Sequence, residues 1–190
     1  MSGDGFHVHG PHDHEVEHVA QHGGDNFTSR VAVLTAVIST VGAIFGYMGG
    51  HSQNAALLYK NEAAIQKTSA SNQWNYYQAK SNKQNLSELA ISLPGVDQTK
   101  YRAEVDRYKQ EKEGIKKDAE KLEASSLDWD KKSDEAMHVH HRWALATTAE
   151  QIAISLAAIT LLTRKKWLLW GSYGVAAIGA VVGVLAYLHI

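Results

Sequence analysis

The residues able to do chemistry in this 190-residue chain are eleven histidines and one acidic residue inside an apolar stretch. Six of the histidines (His7, His9, His12, His14, His18 and His22) lie in the first 29 residues. His14-Glu15-Val16-Glu17-His18 fits the H-E-x-x-H spacing, in which two His one helical turn apart hold zinc and the Glu activates water. That chemistry needs a third ligand and a walled cleft, which a short polar tail does not supply, so protease activity is not expected. His14, His18 and His22 also share one helical face, where two of them can chelate Zn²⁺, Ni²⁺ or Cu²⁺. The plainer reading is a solvated tail that titrates near neutral pH. A second group, His51, His138, His140, His141 and His189, flanks the apolar stretches. His51, His138 and His141 are candidates for one interfacial metal or proton site, against the alternative of amphipathic rings resting at headgroup level. No cofactor is firmly expected; a divalent transition metal is the one candidate.

Glu150 sits about two turns inside the second apolar stretch, where an ionised carboxylate costs a few kcal/mol. Thr147, Gln151 and Ser155 form a polar stripe beside it, matched by Thr35 and Ser39 in the first stretch. One reading is a proton or cation relay through these groups. The other is an interhelical hydrogen bond from a protonated Glu150, or snorkelling to the interface. Further chemistry is excluded by composition. The chain has no cysteine, hence no disulfide, thiolate zinc site, iron–sulfur cluster or cysteine nucleophile. Its 19 Lys+Arg against 20 Asp+Glu leave a net charge of −1, which rules out an overall basic surface for nucleic acid. No phosphate-cradling glycine loop and no Ser/His/Asp set stands out.

Those residues are positioned by an all-α integral membrane protein with three transmembrane helices. Residues 1–29 read as a His-rich disordered tail, too acidic to be a secretory signal. Residues 30–50, 143–163 and 167–188 are the spans, each about 30 Å long as helix and almost free of charge. A basic loop, 164–166, joins the last two. Between the first and second spans, residues 51–142 read as a long antiparallel helical hairpin, a coiled coil with its turn at 93–96 around Leu93-Pro94-Gly95. The second arm keeps a four-three repeat through Tyr101, Val105, Tyr108, Ile115, Ala119, Leu122, Trp129, Ala136 and Trp143, interrupted by Lys112, Ser126 and Ser133. The first arm keeps one apolar line at spacing seven, Leu58, Ile65, Ala79, Leu86 and Leu93, broken by Asn72. It also keeps Asn54, Asn61, Thr68, Asn75 and Asn82 at strict sevens: a lining for an aqueous vestibule, an Asn ladder between subunits, or a solvated face.

The run Asn72-Gln73-Trp74-Asn75-Tyr76-Tyr77-Gln78-Ala79-Lys80-Ser81 resembles the signature of a bacterial membrane-protein family, domain of unknown function 4337. The resemblance extends to the His-rich start, His51 and Asn54, the His141-Arg142 pair, Glu150 and the basic turn. It implies a multi-pass bacterial inner-membrane protein and no activity. Within the motif, Trp74, Tyr76, Tyr77, Gln78 and Lys80 invite two readings, packing against the opposite arm or a ligand cage.

The short loop Arg164-Lys165-Lys166 is expected to stay cytoplasmic, which places the tail in the cytoplasm and the hairpin in the periplasm. Small residues at spacing four, Gly42, Gly46 and Gly50 in the first span and Gly179 and Gly183 in the third, let helix backbones approach in lipid. Together these features predict a non-enzymatic membrane protein that forms a homo-oligomer or organises a membrane complex with a partner. The alternatives are a small channel or transporter using Glu150, and a metal-responsive protein using the histidines.

Overall fold

The computed structural model describes residues 26–188 and is helical throughout. Helix α1 is Asn26–Ile91, α2 is Gln98–Thr163 and α3 is Lys166–Tyr187. All three are long and apolar enough to cross a membrane. The chain divides into two compact units. Among the described residues, one takes 26–51 together with 138–188, and the other is Ser52–Met137.

The second unit is the helical hairpin. Its turn uses Gly95 at φ +82°, a conformation that glycine adopts without the Cβ penalty, directly after Pro94. Asp97 then caps α2, its Oδ1 accepting from the backbone N–H of Thr99 at 3.1 Å and of Lys100 at 3.2 Å. On α2 the four-three repeat faces inward as the spacing predicts: Val105, Ile115 and Ala119 are buried, and Tyr101, Tyr108, Leu122 and Trp129 half-buried. Ser126 and Ser133 are not interruptions. Both are buried on the same seam, and their hydroxyls donate across it to the backbone carbonyls of Ala63 and Ala56, each at 2.9 Å.

The first arm turns a different face inward from its apolar line. Its apolar line does not pack on the second arm: Leu58 is 68% and Leu86 66% exposed, and Ile65 and Leu93 are also more than half exposed. The inward face is instead Ala56, Ala63 and Ala70, continued by half-buried Tyr77, Gln84 and Ile91. The reason is steric. A serine hydroxyl reaches a carbonyl on the facing helix only where no large side chain intervenes, toward the short end of the ~8–10 Å range of helix separations. Three alanines provide that gap, and a leucine line would close it.

The first unit packs the apolar segments of all three helices. On α1, Val31 and Ile38 are buried, with Thr35, Gly42 and Phe45 half-buried between and beyond them, again at four-three spacing. On α2, two lines at spacing seven are buried, Trp143, Glu150 and Ala157, and Ala146, Ala153 and Thr160. On α3 the buried set is Leu168, Ser172, Gly179, Gly183 and Ala186. Many of the remaining large side chains point outward, including Val33, Ile44, Leu145, Leu162 and Val181.

Candidate functional site

Glu150 is the largest of the fully buried side chains among the described residues, with 1% of its surface exposed. Its place is cut out by glycines on both neighbouring helices. A Cβ at Gly42 would stand 3.3 Å from Glu150 Cβ, and one at Gly179 would stand 2.7 Å from Oε1. The carboxyl group therefore lies directly against the α3 backbone, and any side chain at position 179 would collide with it. Among the described residues it forms no ion pair. Close by, Ser172 Oγ donates to the Ala153 carbonyl at 2.8 Å, tying α3 to α2.

The polar stripe named with Glu150 diverges from it. Gln151 and Ser155 are exposed, and the Thr147 and Ser155 hydroxyls donate to their own helix, to the Trp143 and Gln151 carbonyls. Thr35 likewise donates to Val31 O at 2.9 Å. The three hydroxyls are satisfied within their own helices and do not line a path that includes the carboxyl. Of the packing glycines, Gly42 and Gly179 meet Glu150 and Gly183 meets the Phe45 ring, while Gly46 and Gly50 face open space within the chain. Gly49, seven after Gly42, is the one that packs, against Trp143 Cβ. The even spacing of four drew attention to Gly46 and Gly50, but a helix packed along a four-three seam meets its neighbour at sevens. Ser172, Gly179 and Ala186 stand at the same spacing of seven, a signal that would have found Ser172.

His51, His138 and His141 are all exposed, and among the described residues no group of three or more His, Asp or Glu side chains gathers to hold a metal ion. They therefore do not make the three-ligand interfacial site. His140 has the defined role instead. Its Nδ1 lies 2.9 Å from the Gly49 carbonyl, which can only accept, so Nδ1 carries the proton. His14, His18 and His22 lie outside the described residues, as does His189.

In the hairpin, the Trp-rich motif forms one cluster with the facing arm. Trp74 Nε1 donates to Glu123 Oε1 at 3.1 Å, and its ring meets Tyr77 edge-on at 5.7 Å. Lys80 pairs with Glu111 at 2.6 Å. Lys80 also lies over Tyr76 at 5.1 Å and over Tyr108 at 5.6 Å, while Lys112 covers Tyr77 at 5.2 Å. The hydrogen bond from Lys80 holds the Glu111 carboxyl below the usual carboxylate range, and the same bond raises the Lys80 ammonium above its ordinary value. A cage for an external cation needs free ring faces. Here the chain's own lysines occupy faces of Tyr76, Tyr77 and Tyr108, so the cluster acts as a clamp between the arms. Gln78 of the motif is exposed and takes no part in it.

The sequence model of one family, described as domain of unknown function (DUF4337), matches residues 27–189, and the chain belongs to that family. Comparison with curated proteins and with solved structures returns no match.

Proposed function

We propose that this member of the domain of unknown function 4337 family is a non-enzymatic, multi-pass protein of the bacterial inner membrane that works by assembly. Its three apolar helices anchor the chain, and the hairpin presents a surface on which membrane complexes are built. The observation that carries this reading is the inversion of the first arm. Its inner face is built on Ala56, Ala63 and Ala70, continued by Tyr77, Gln84 and Ile91, while Leu58, Ile65, Leu86 and Leu93 point away from the second arm. A solitary hairpin gains nothing from that arrangement, since each leucine left wet forgoes about 1.5–3 kcal/mol of burial. The enclosure of Glu150 between two glycine backbones supports the same reading, because it suits a group that fixes helix packing better than one that shuttles ions. The basic 164–166 turn favours a cytoplasmic tail and a periplasmic hairpin.

Mass measurement of the purified protein in mild detergent tests this. Particles holding several 20.9 kDa chains, or one chain with a stoichiometric partner, are expected. A lone 20.9 kDa chain that co-purifies with nothing overturns it. A Pro94→Cys variant should react with an impermeant maleimide in whole cells; labelling only after lysis reverses the orientation.

A further inference from the structure

The first arm carries a second four-three repeat on the face turned away from the second arm. From Asn54 to Leu93, positions spaced alternately four and three apart read Asn-Leu-Asn-Ile-Thr-Asn-Asn-Ala-Asn-Leu-Leu-Leu. All twelve are exposed. None is charged, over nearly six heptads of a helix that faces water. We propose that this face is a parallel, in-register coiled-coil seam that pairs with the same arm of a second copy of this chain. The proposal rests on the assembly reading above and names its interface and its partner.

Three observations select a second copy. The first is that the seam matches itself. Paired in parallel and in register, every Asn meets the same Asn of the partner, whose amide both donates and accepts, and every Leu meets a Leu. Paired antiparallel about its centre, Asn54 would face Leu93, Asn61 would face Leu86 and Ile65 would face Asn82, placing amides against aliphatic side chains. The second is the membrane. α1 holds both an apolar segment and this arm in one helix, so copies inserted the same way present their first arms in parallel. The third is charge. Of the twelve positions that flank the seam on either side, only Glu62 and Lys83 are charged. In a parallel pair they meet Leu57 and Gln78 of the other copy, so no like charges oppose. Core and flanks together supply 24 residues, within the roughly 20–30 a side that a specific interface takes.

The absence of native cysteine makes the test direct. Single cysteines are placed at Ile65→Cys and Leu86→Cys on the seam and at Lys67→Cys, an exposed position off it, and oxidised in native membranes. Disulfide-linked dimers should form at 65 and 86 at least tenfold more than at 67. Equal crosslinking at all three sites overturns the seam. So does a cysteine at 65 that is shielded from maleimide yet never dimerises, which would mean that a different protein covers the face. Mass in mild detergent separates the two ideas. Several copies per particle without crosslinks at 65 or 86 means the assembly stands and this seam is wrong, whereas a lone chain refutes both. As a second measurement, Ile65→Lys with Leu86→Lys should lower the number of copies per particle while leaving helix content unchanged, because neither side chain lies on the inner seam. An unchanged mass overturns the proposal.

Discussion

The two arms of the hairpin share one inward rule and follow opposite outward ones. Inward, each keeps a four-three seam of buried and half-buried residues. Outward, they part: the first arm carries 6 charged residues among positions 52–93, and the second carries 21 among positions 98–137. The outer face of the second arm has the composition of a solvated helix, laced with i,i+4 pairs such as Lys116–Glu120, Lys131–Glu135 and Lys132–Asp128. The first arm has amides and aliphatic side chains there. Two helices of equal length, paired with each other, have the same need for solubility. The difference teaches that hydrophobic periodicity alone does not say which face of a helix is inside its own chain. In this hairpin Leu58, Ile65, Leu86, Leu89 and Leu93 of the first arm mark its outside.

That contrast is broken most sharply by exchanging the character of the first arm's two faces. Enlarging the inner face, with Ala63→Leu and Ala70→Leu together, overfills layers that hold an alanine or serine opposite. A loss of about 1–3 kcal/mol per site is expected, read as a fall in the melting temperature of the purified protein. Trimming the outer face with Leu58→Ala and Leu86→Ala should leave the dissociated chain within about 0.5 kcal/mol of the parent. If the outer pair destabilises the dissociated chain more than the inner pair does, the assignment of faces is reversed.

A smaller effect isolates the hydrogen bonds across the seam. Ser126→Ala and Ser133→Ala each remove one bond to a facing carbonyl, and about 1 kcal/mol apiece is expected. Because the two sites lie two helical turns apart, the double variant should give nearly the sum. Strong non-additivity would mean that the arms shift register when one bond is lost.

The smallest effect concerns the Lys80–Glu111 clamp, and its sign follows from proton linkage. Glu111 titrates below its ordinary range because Lys80 is bonded to it. The stability it contributes is therefore full above the unfolded carboxyl value of about 4.3 and is lost as pH falls through the lower, folded value. Lys80 is raised, so its share is full below about 10.4 and is lost as pH climbs through the folded value. Thermal melts of the parent and of Glu111→Gln between pH 3 and 7 should differ at neutral pH and converge in acid. Parallel curves across that range would show that the pair contributes nothing.

The architecture was open to reading from the chain because it depends on long-range averages. Twenty-residue uncharged runs, a single Leu-Pro-Gly break and a sustained four-three repeat on the second arm each predict an element, and α1, α2 and α3 fall where those signals put them. The site was legible only in part. Glu150 stood out as a carboxylate in an apolar run, and its enclosure by Gly42 and Gly179 follows the small-residue signal. Gln151 and Ser155 look like companions of Glu150 because they are one and five residues away, yet their helical angles turn them outward. The histidines near the spans were grouped by position along the chain, which does not constrain the distances between side chains that a metal requires.

What the sequence by itself determined is the number of helices, their lengths and the presence of an apolar and an amide line at spacing seven on the first arm, since spacing and charge are properties of the chain. Which face of that arm turns inward was decided only by tertiary structure. By hydrophobicity, the line through Leu58, Ile65 and Leu86 is the stronger candidate. Close packing reverses the choice: Ser126 and Ser133 on the facing arm reach the backbone at Ala63 and Ala56 only if small residues line the seam, and that requirement belongs to the pair of helices rather than to either one.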